Sequence, residues 1–515
     1  MADRDLRKFA VSSFSGGLDV RTSPQTLAST PRYRNRLTLA RGVAYFKTGG
    51  VSKRLDVATY NSSTIGASVA ITGGFQLRLD NGTDLIIAGT DDGRVVKFAS
   101  DGTTSNLTTG KTSGARWHFD KFANFATISN RLDAPMKYDG TTFGTLGGSP
   151  PSTGGPHVTH GNRTLFLDAT NVRRLTWSAL GDSEDFTSAS NAGNVTVTGP
   201  NASPLVFLLS MTGELLLGHR DLITRLQGTS PSTYAITNAL PAKVSAGGIS
   251  PQGAAFGNND AYWISGRGIH SLATTQRFGD LVESFASERI DPYFTANTDF
   301  TLSLNQLDKS VSCYDSQNNR LLFGVDTDGD GKNDTILVRD VYTGAWSVWP
   351  SMSCASLWTG YNGTRGVDVF MGGYDGFVRR LNVSASTNAI DARFNHISDL
   401  GGPHIAKSLR HLYVYLGEEG AGTVTVTTNI DFGASGGQTY SVSLLGDSAV
   451  IGSTFIIGTS RLGARSQIIK RLNCSGVGEF WEIGFANQQA GQNFTVFAYE
   501  ALWRPRRIIG RAPVN

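Results

Sequence analysis

At 515 residues the chain exceeds one ordinary compact domain, so two or three domains are expected, each large enough to bury its own core. Charged residues are only 17 % of it while Gly reaches 61, above the ordinary ~7 %, which points to many tight turns and against long charged helices. Cys313, Cys354 and Cys474 are odd in number and far apart, which excludes a disulfide framework or a C-x-x-C zinc site and suits a reducing cytoplasm.

The opening MADRDLRKFAVSSFSGG lacks the apolar stretch of a secretion signal, and no run of about 18 apolar residues occurs, so neither standard secretion nor a membrane anchor is expected. The net charge of +4 is unevenly spread. Residues 1–54 hold eleven Arg or Lys against three Asp, and the last thirteen hold four Arg and no acid, which leaves the span between them net −8. Residues 1–57 show little hydrophobic periodicity and are expected to form an extended arm that orders against a partner; basic ends on an acidic body suit docking on acidic neighbours.

From residue 58 to 384 short alternating or β-branched strands are separated by D-G, N-G and G-G turns. Two segments repeat visibly, DLIIAGTDDGRVVKF (84–98) and DVFMGGYDGFVRRL (368–381), with a strand, a small-residue step, an Asp-Gly turn and a second strand. Looser copies begin at Ala123, Asn162, Glu214, Asn259 and Asn318. A spacing of roughly 40 to 60 residues is that of propeller blades, and the expected fold is an all-β, six- or seven-bladed β-propeller. Trp117, Trp177, Trp263, Trp346, Trp349 and Trp358 lie in or beside these strands and read as core between blades. Residues 385–515 carry longer alternating strands, such as HLYVYLGEEGAGTVTVTTNIDF and NFTVFAYEALW, and read as an additional β-sandwich or platform with a basic tail.

Within the propeller span, DTDGDGKND places Asp326, Asp328, Asp330 and Asp334 at positions 1, 3, 5 and 9 of a calcium-type loop with Gly331 at position 6. Position 12 is Leu337 instead of the bidentate glutamate, and the flanks LLFGV and TILVRDV are strand-like. The loop therefore reads either as a structural Ca²⁺ site capping a hairpin or as a solvated polar turn. No other cofactor is required. His157 and His160 are the only close histidine pair, and strand alternation sends them to opposite faces. H-E-x-x-H and Walker A patterns are missing, and YTGAWSVW (342–349) matches only the end of a sialidase-type Asp-box. An enzyme is not expected.

Several segments in order carry a resemblance. GGLDVRTSP at 16–24, TGGVSKR at 48–54, WHFDKFANFATISN, YDGTTFGTLGGSPP, HGNRTLF, LTWSALGDSEDF, ELLLGHRDLITRLQGTSP, NDAYWISGRGIHSL and GAWSVW together resemble the tail nozzle, or tail tubular B-type, proteins and the packaged-DNA stabilisation proteins of short-tailed bacteriophages. The resemblance spans about residues 16–381. It implies a non-enzymatic virion protein, made in the host cytoplasm and assembled into a homo-oligomeric ring, usually a hexamer. That ring would lie below a head-to-tail adaptor and beside tail fibre or needle proteins, retaining packaged double-stranded DNA and guiding its ejection without reading its sequence. The net −8 body would keep phosphate friction low in such a conduit. Arg32, Arg34, Arg36, Arg504, Arg506 and Arg507 are the candidate contacts to neighbours. Minor tail proteins of long-tailed phages share these segments, and a propeller glycan hydrolase or a receptor-binding tail module are the rival readings.

Overall fold

The protein is described by a computed structural model over residues 6–198, 203–239, 247–278, 285–295, 301–362, 366–383, 388–401, 405–419, 422–433, 435–445 and 467–506. It divides into two units, one of residues 57–338 and 350–382 and one of residues 1–56, 339–349 and 383–515.

The first unit is a β-propeller. Six sheets of their own and one further meander give seven blades among the described residues. Blade 1 runs Ile71–Arg78, Asp84–Thr90, Val95–Phe98 and Thr104–Thr108. Blade 2 runs His118–Phe122, Phe125–Ser129, Met136–Tyr138 and Phe143–Thr145, and blade 3 runs Gly154–His160, Arg163–Asp168, Arg174–Trp177 and Gly193–Thr196. Leu205–Met211, Glu214–His219, Ile223–Gln227 and Ala235–Asn238 form blade 4. The three-stranded blade 5 is Ala254–Gly257, Asp260–Ser265 and Gly268–Ser271, and blade 6 is Val311–Asp315, Arg320–Val325 and Thr335–Asp340. Blade 7 is Ser356–Tyr361, Val367–Gly372 and Val378–Val383, completed on its outer edge by Asp56–Thr59 from ahead of blade 1. The first strand of each blade packs beside that of the next, and that of blade 7 beside that of blade 1, so the circle closes.

The pattern that builds a blade is visible in Asp84–Thr90. Its centre is apolar on both sides, and alternate residues serve different neighbours because a strand sends successive side chains to opposite faces. Ile87 joins Trp117, Ile128 and Tyr138 of blade 2, whereas Ile86 and Ala88 join Trp358, Phe370 and Val378 of blade 7. The two clearest sequence repeats are thus adjacent blades that pack against each other. Their Asp-Gly turns place Gly93 at φ 83° and Gly376 at φ 77°, the left-handed region that glycine enters without strain. Asn61, buried, pins the closure. Its side-chain amide donates to the Gly376 carbonyl at 3.0 Å, and its Oδ1 accepts from the Val378 N–H at 2.7 Å.

The second unit corrects the expected arm at residues 1–57. Arg7–Val11 pairs antiparallel with Thr495–Pro505, which also pairs with Val51–Lys53 and Lys407–Gly417. Leu39–Arg41 pairs with Ala392–Ser398 and, in parallel, with Trp346–Trp349. The physical reason is that these N-terminal strands are two to five residues long with partners at the far end of the chain, so no local window carries their periodicity. Residues 385–515 accordingly do not form a platform by themselves. One sheet of the unit orders Trp346–Trp349, Leu39–Arg41, Ala392–Ser398, Trp481–Asn487, Thr423–Ile430 and Ser435–Ser443; the other centres on Thr495–Pro505. The two sheets meet at His396, whose Nδ1 lies 2.6 Å from the Tyr499 hydroxyl, with Phe14 packed against Phe394 and Tyr499. Among the described residues no helix is long and apolar enough to cross a membrane.

Four of the six expected inter-blade tryptophans serve that purpose: Trp117 between blades 1 and 2, Trp177 between 3 and 4, Trp263 between 4 and 5, and Trp358 between 7 and 1. Trp346 and Trp349 belong to the second unit instead, where the Trp349 indole donates to the Val43 carbonyl at 2.8 Å and the Trp346 carbonyl accepts from the Tyr45 hydroxyl at 2.8 Å.

Candidate functional site

The Asp-rich loop joins the second and third strands of blade 6, as the strand-like flanks indicate. It folds on its own carboxylates. Asp326, buried, accepts the N–H groups of Asp328 at 3.1 Å and Gly329 at 2.7 Å on Oδ1, and that of Gly331 at 2.7 Å on Oδ2. Asp328 accepts from the Asp330 N–H at 3.1 Å, and Asp330 from the Lys332 N–H at 2.7 Å, a succession of Asx turns. Gly329 at φ 83° and Gly331 at φ 82° permit the tight winding. Asp326, Asp328 and Asp330 each direct one carboxylate oxygen to within 4.8 Å of the others. Asp334 stands outside this trio; its Oδ2 accepts from the Thr327 hydroxyl at 2.6 Å, while Oδ1 is buried without a hydrogen-bond partner. The base of the loop is stapled by the fully buried Asn333, whose amide donates to the carbonyls of Lys309 at 2.9 Å and Cys354 at 3.0 Å. Three convergent carboxylates and one orphaned carboxylate oxygen fit a hard cation that takes oxygen ligands. Leu337 at position 12 is buried in the strand core, so the ligand set stops short of a complete calcium cage.

The six arginines expected at interfaces separate. Arg32 and Arg34 are exposed, their guanidinium groups 5.7 Å and 5.2 Å from the rings of Tyr33 and Phe9. Arg36 is a structural residue of the second unit: it forms an ion pair with the buried Asp19 and lies 4.1 Å over Tyr33, so its charge is answered within the chain. Arg504 is half-buried on the last strand, Arg506 is exposed, and Arg507 lies outside the described residues.

Sequence reading missed the lining of the propeller axis. A cavity of about 580 Å³ is walled by all seven blades, through Phe75, Phe119, His157, Leu209, Phe256, Tyr314 and Trp358 among others. Phe75 and Phe119 stack with centroids 6.4 Å apart and planes 4° from parallel. The signal available in the sequence was an apolar or aromatic residue recurring on the first strand of each blade. His157 and His160 do face different neighbours: His157 meets Ser129 at 2.8 Å and Thr127 at 2.9 Å, and His160 meets Ser210 at 2.9 Å. Burial pushes the His157 imidazole down to about 4, so it is neutral near pH 7. The described lining is aromatic, aliphatic, hydroxyl, amide, imidazole and thiol, with no Asp or Glu among it. Such a wall offers packing and neutral hydrogen bonds.

No family model matches the chain and no curated protein does. Solved β-propellers resemble it in fold. YCF48 bound to a D1 peptide shares 12 % identity over 66 % of this chain and 98 % of its own, with a TM-score of 0.41. The computationally designed Ika8 protein shares 14 % over 63 % of this chain and all of its own (TM-score 0.39), and the WD40 propeller domain of Doa1 shares 11 % over 64 % and 96 % (TM-score 0.39). At these identities the likeness is one of β-propeller fold alone.

Proposed function

We propose that the chain is a structural subunit of a bacteriophage tail, a nozzle or hub protein whose copies form a ring around the DNA path. The observation that carries this reading is the ordered series of segments that resemble tail nozzle proteins, six of which fall on the propeller while GGLDVRTSP, TGGVSKR and GAWSVW belong to the second unit. WHFDKFANFATISN begins blade 2, HGNRTLF turns into the second strand of blade 3, ELLLGHRDLITRLQGTSP spans the second and third strands of blade 4, and NDAYWISGRGIHSL spans those of blade 5. The role would be mechanical, exercised through interfaces between copies and with an adaptor, for which Arg32, Arg34 and Arg506 offer exposed cations. Native mass spectrometry of the purified full chain, with antibody-labelled imaging of particles, tests it. A closed ring on a virion tail is the expected result; a monomer that turns over glycans would overturn it.

Within that reading, the loop of Asp326, Asp328 and Asp330 takes a structural Ca²⁺, with Asp334 outside the trio. Millimolar CaCl₂ is expected to raise Tm by a few degrees, equivalent to about 1–2 kcal/mol of linkage stabilisation. Asp328→Ala, an exposed position, is expected to remove the increment while leaving the apo Tm nearly unchanged. An unchanged wild-type melt in Ca²⁺ would reduce the loop to a solvated turn.

A further inference from the structure

Between blades 3 and 4 lies a cavity of about 510 Å³, separate from the axis and built from Trp177, Asn194, Thr196, Thr224, Tyr234 and Asn238, with aliphatic residues beneath them. Its size is that of a small-molecule site. Two of its walls are aromatic and set at a right angle: the rings of Trp177 and Tyr234 are 5.2 Å apart with planes at 88°. The Tyr234 hydroxyl is hydrogen-bonded by the Arg163 guanidinium, which also donates to the Ser178 carbonyl at 2.7 Å and the Asn191 side chain at 2.7 Å. Trp177 is 6 % exposed, and its indole N–H is buried without an acceptor among the described residues. Among the other inter-blade indoles, Trp117 has its acceptor in the Thr90 carbonyl at 2.8 Å, whereas the Trp358 N–H is buried without one, as that of Trp177 is. The lining thus contains a donor waiting for a partner. Gly193 borders the indole, since a Cβ there would lie 3.1 Å from the ring and 3.5 Å from its nitrogen.

The chemistry of the walls selects the ligand. Every polar lining group is a neutral amide or hydroxyl, so a charged ligand would lose hydration without gaining a counter-charge. A wholly apolar ligand would cover the amides and hydroxyls and still leave the indole N–H unanswered. A compact molecule with one C–H face and an edge of neutral hydroxyls satisfies both aromatic walls and the rim. We propose that this groove binds a neutral saccharide, with a pyranose face against the Trp177 and Tyr234 corner, a sugar oxygen accepting from the Trp177 N–H beside Gly193, and Asn194 and Asn238 holding the hydroxyl edge. The inference is independent of the tail reading, since binding here involves no covalent step and no ring.

The test is saturation-transfer NMR on the full chain with methyl α-D-glucopyranoside, methyl α-D-galactopyranoside, N-acetylglucosamine and maltose, and with indole and an uncharged tripeptide as competing probes. At least one saccharide is expected to bind, with transfer strongest at its ring C–H protons and no hydrolysis product. Trp177→Phe keeps a ring and removes the donor, and is expected to weaken that saccharide about tenfold, the scale of one buried hydrogen bond. Asn194→Ala, at an exposed site that folding tolerates, should weaken it as well, and Gly193→Val should abolish it. The proposal is overturned if no saccharide of the panel gives transfer, if binding survives all three substitutions, or if only indole or the tripeptide competes for the groove.

Discussion

Acidification from pH 6.5 to pH 4 is expected to remove much of the stability of the propeller, because its buried histidines are held neutral. Burial pushes His157 down to about 4 and His270 to about 3. His118, half-buried beside His157, shifts well below the ordinary range in the same direction through desolvation and then the His157 charge. Unfolded histidine titrates near about 6.5, so below that pH the unfolded chain takes up protons that the folded chain refuses. Stability therefore falls as pH drops from about 6.5, by about 1.4 kcal/mol per pH unit for each such residue, and levels only at the folded values. His157 and His270 each contribute roughly 3 kcal/mol over the window to pH 4, against a typical total of about 5–15 kcal/mol. Urea unfolding at stepped pH measures this, and His157→Gln, which retains hydrogen-bonding capacity toward Thr127 and Ser129, should flatten the slope by one proton. A propeller equally stable at pH 6.5 and pH 4 would contradict the assignment. Carboxylates held low by partners, such as Asp375 with the Arg379 guanidinium beside it, add their loss only below the ordinary carboxylate range.

Trp117→Ala is expected to cost about 3–5 kcal/mol, near the limit of what a single substitution does. The indole is 1 % exposed, fills the core between blades 1 and 2, and when removed leaves the Thr90 carbonyl with only the Gly93 N–H at 3.2 Å as donor. Gly89 gives an internal control. A Cβ there would meet the Trp117 ring at 2.1 Å, so Gly89→Ala should cost about 1–3 kcal/mol in the natural chain and little once Trp117 is alanine. Additive losses in chemical denaturation would mean that the contact does not determine the cost.

The propeller was legible because each blade declares itself locally. The stretches 84–98 and 368–381 carry strand, Asp-Gly turn and strand within fifteen residues, and both fold as central strand pairs of neighbouring blades. The Asp-rich turn was legible for the same reason. What stayed hidden depends on distant partners. Arg7–Val11 becomes a strand only because Thr495–Pro505 lies beside it, and the Trp346–Trp349 segment reads as blade until Leu39–Arg41 is seen to pair with it. Arg36 looked like a free basic residue because nothing local shows Asp19 folding back to it. The saccharide groove was illegible too, since Trp177 and Tyr234 come from different blades and only their contact creates the corner.

The outer strand of blade 7 is made of Asp56–Thr59, which leaves the ribosome long before Val378–Val383, its hydrogen-bonding neighbour. At about 5–20 residues per second, the growing polypeptide spends on the order of tens of seconds with that strand exposed and its backbone N–H and C=O groups without a strand partner. Nascent chains thus face a period in which self-association competes with completion, and a chaperone that shields the early strands would decide yield more than any change in final stability.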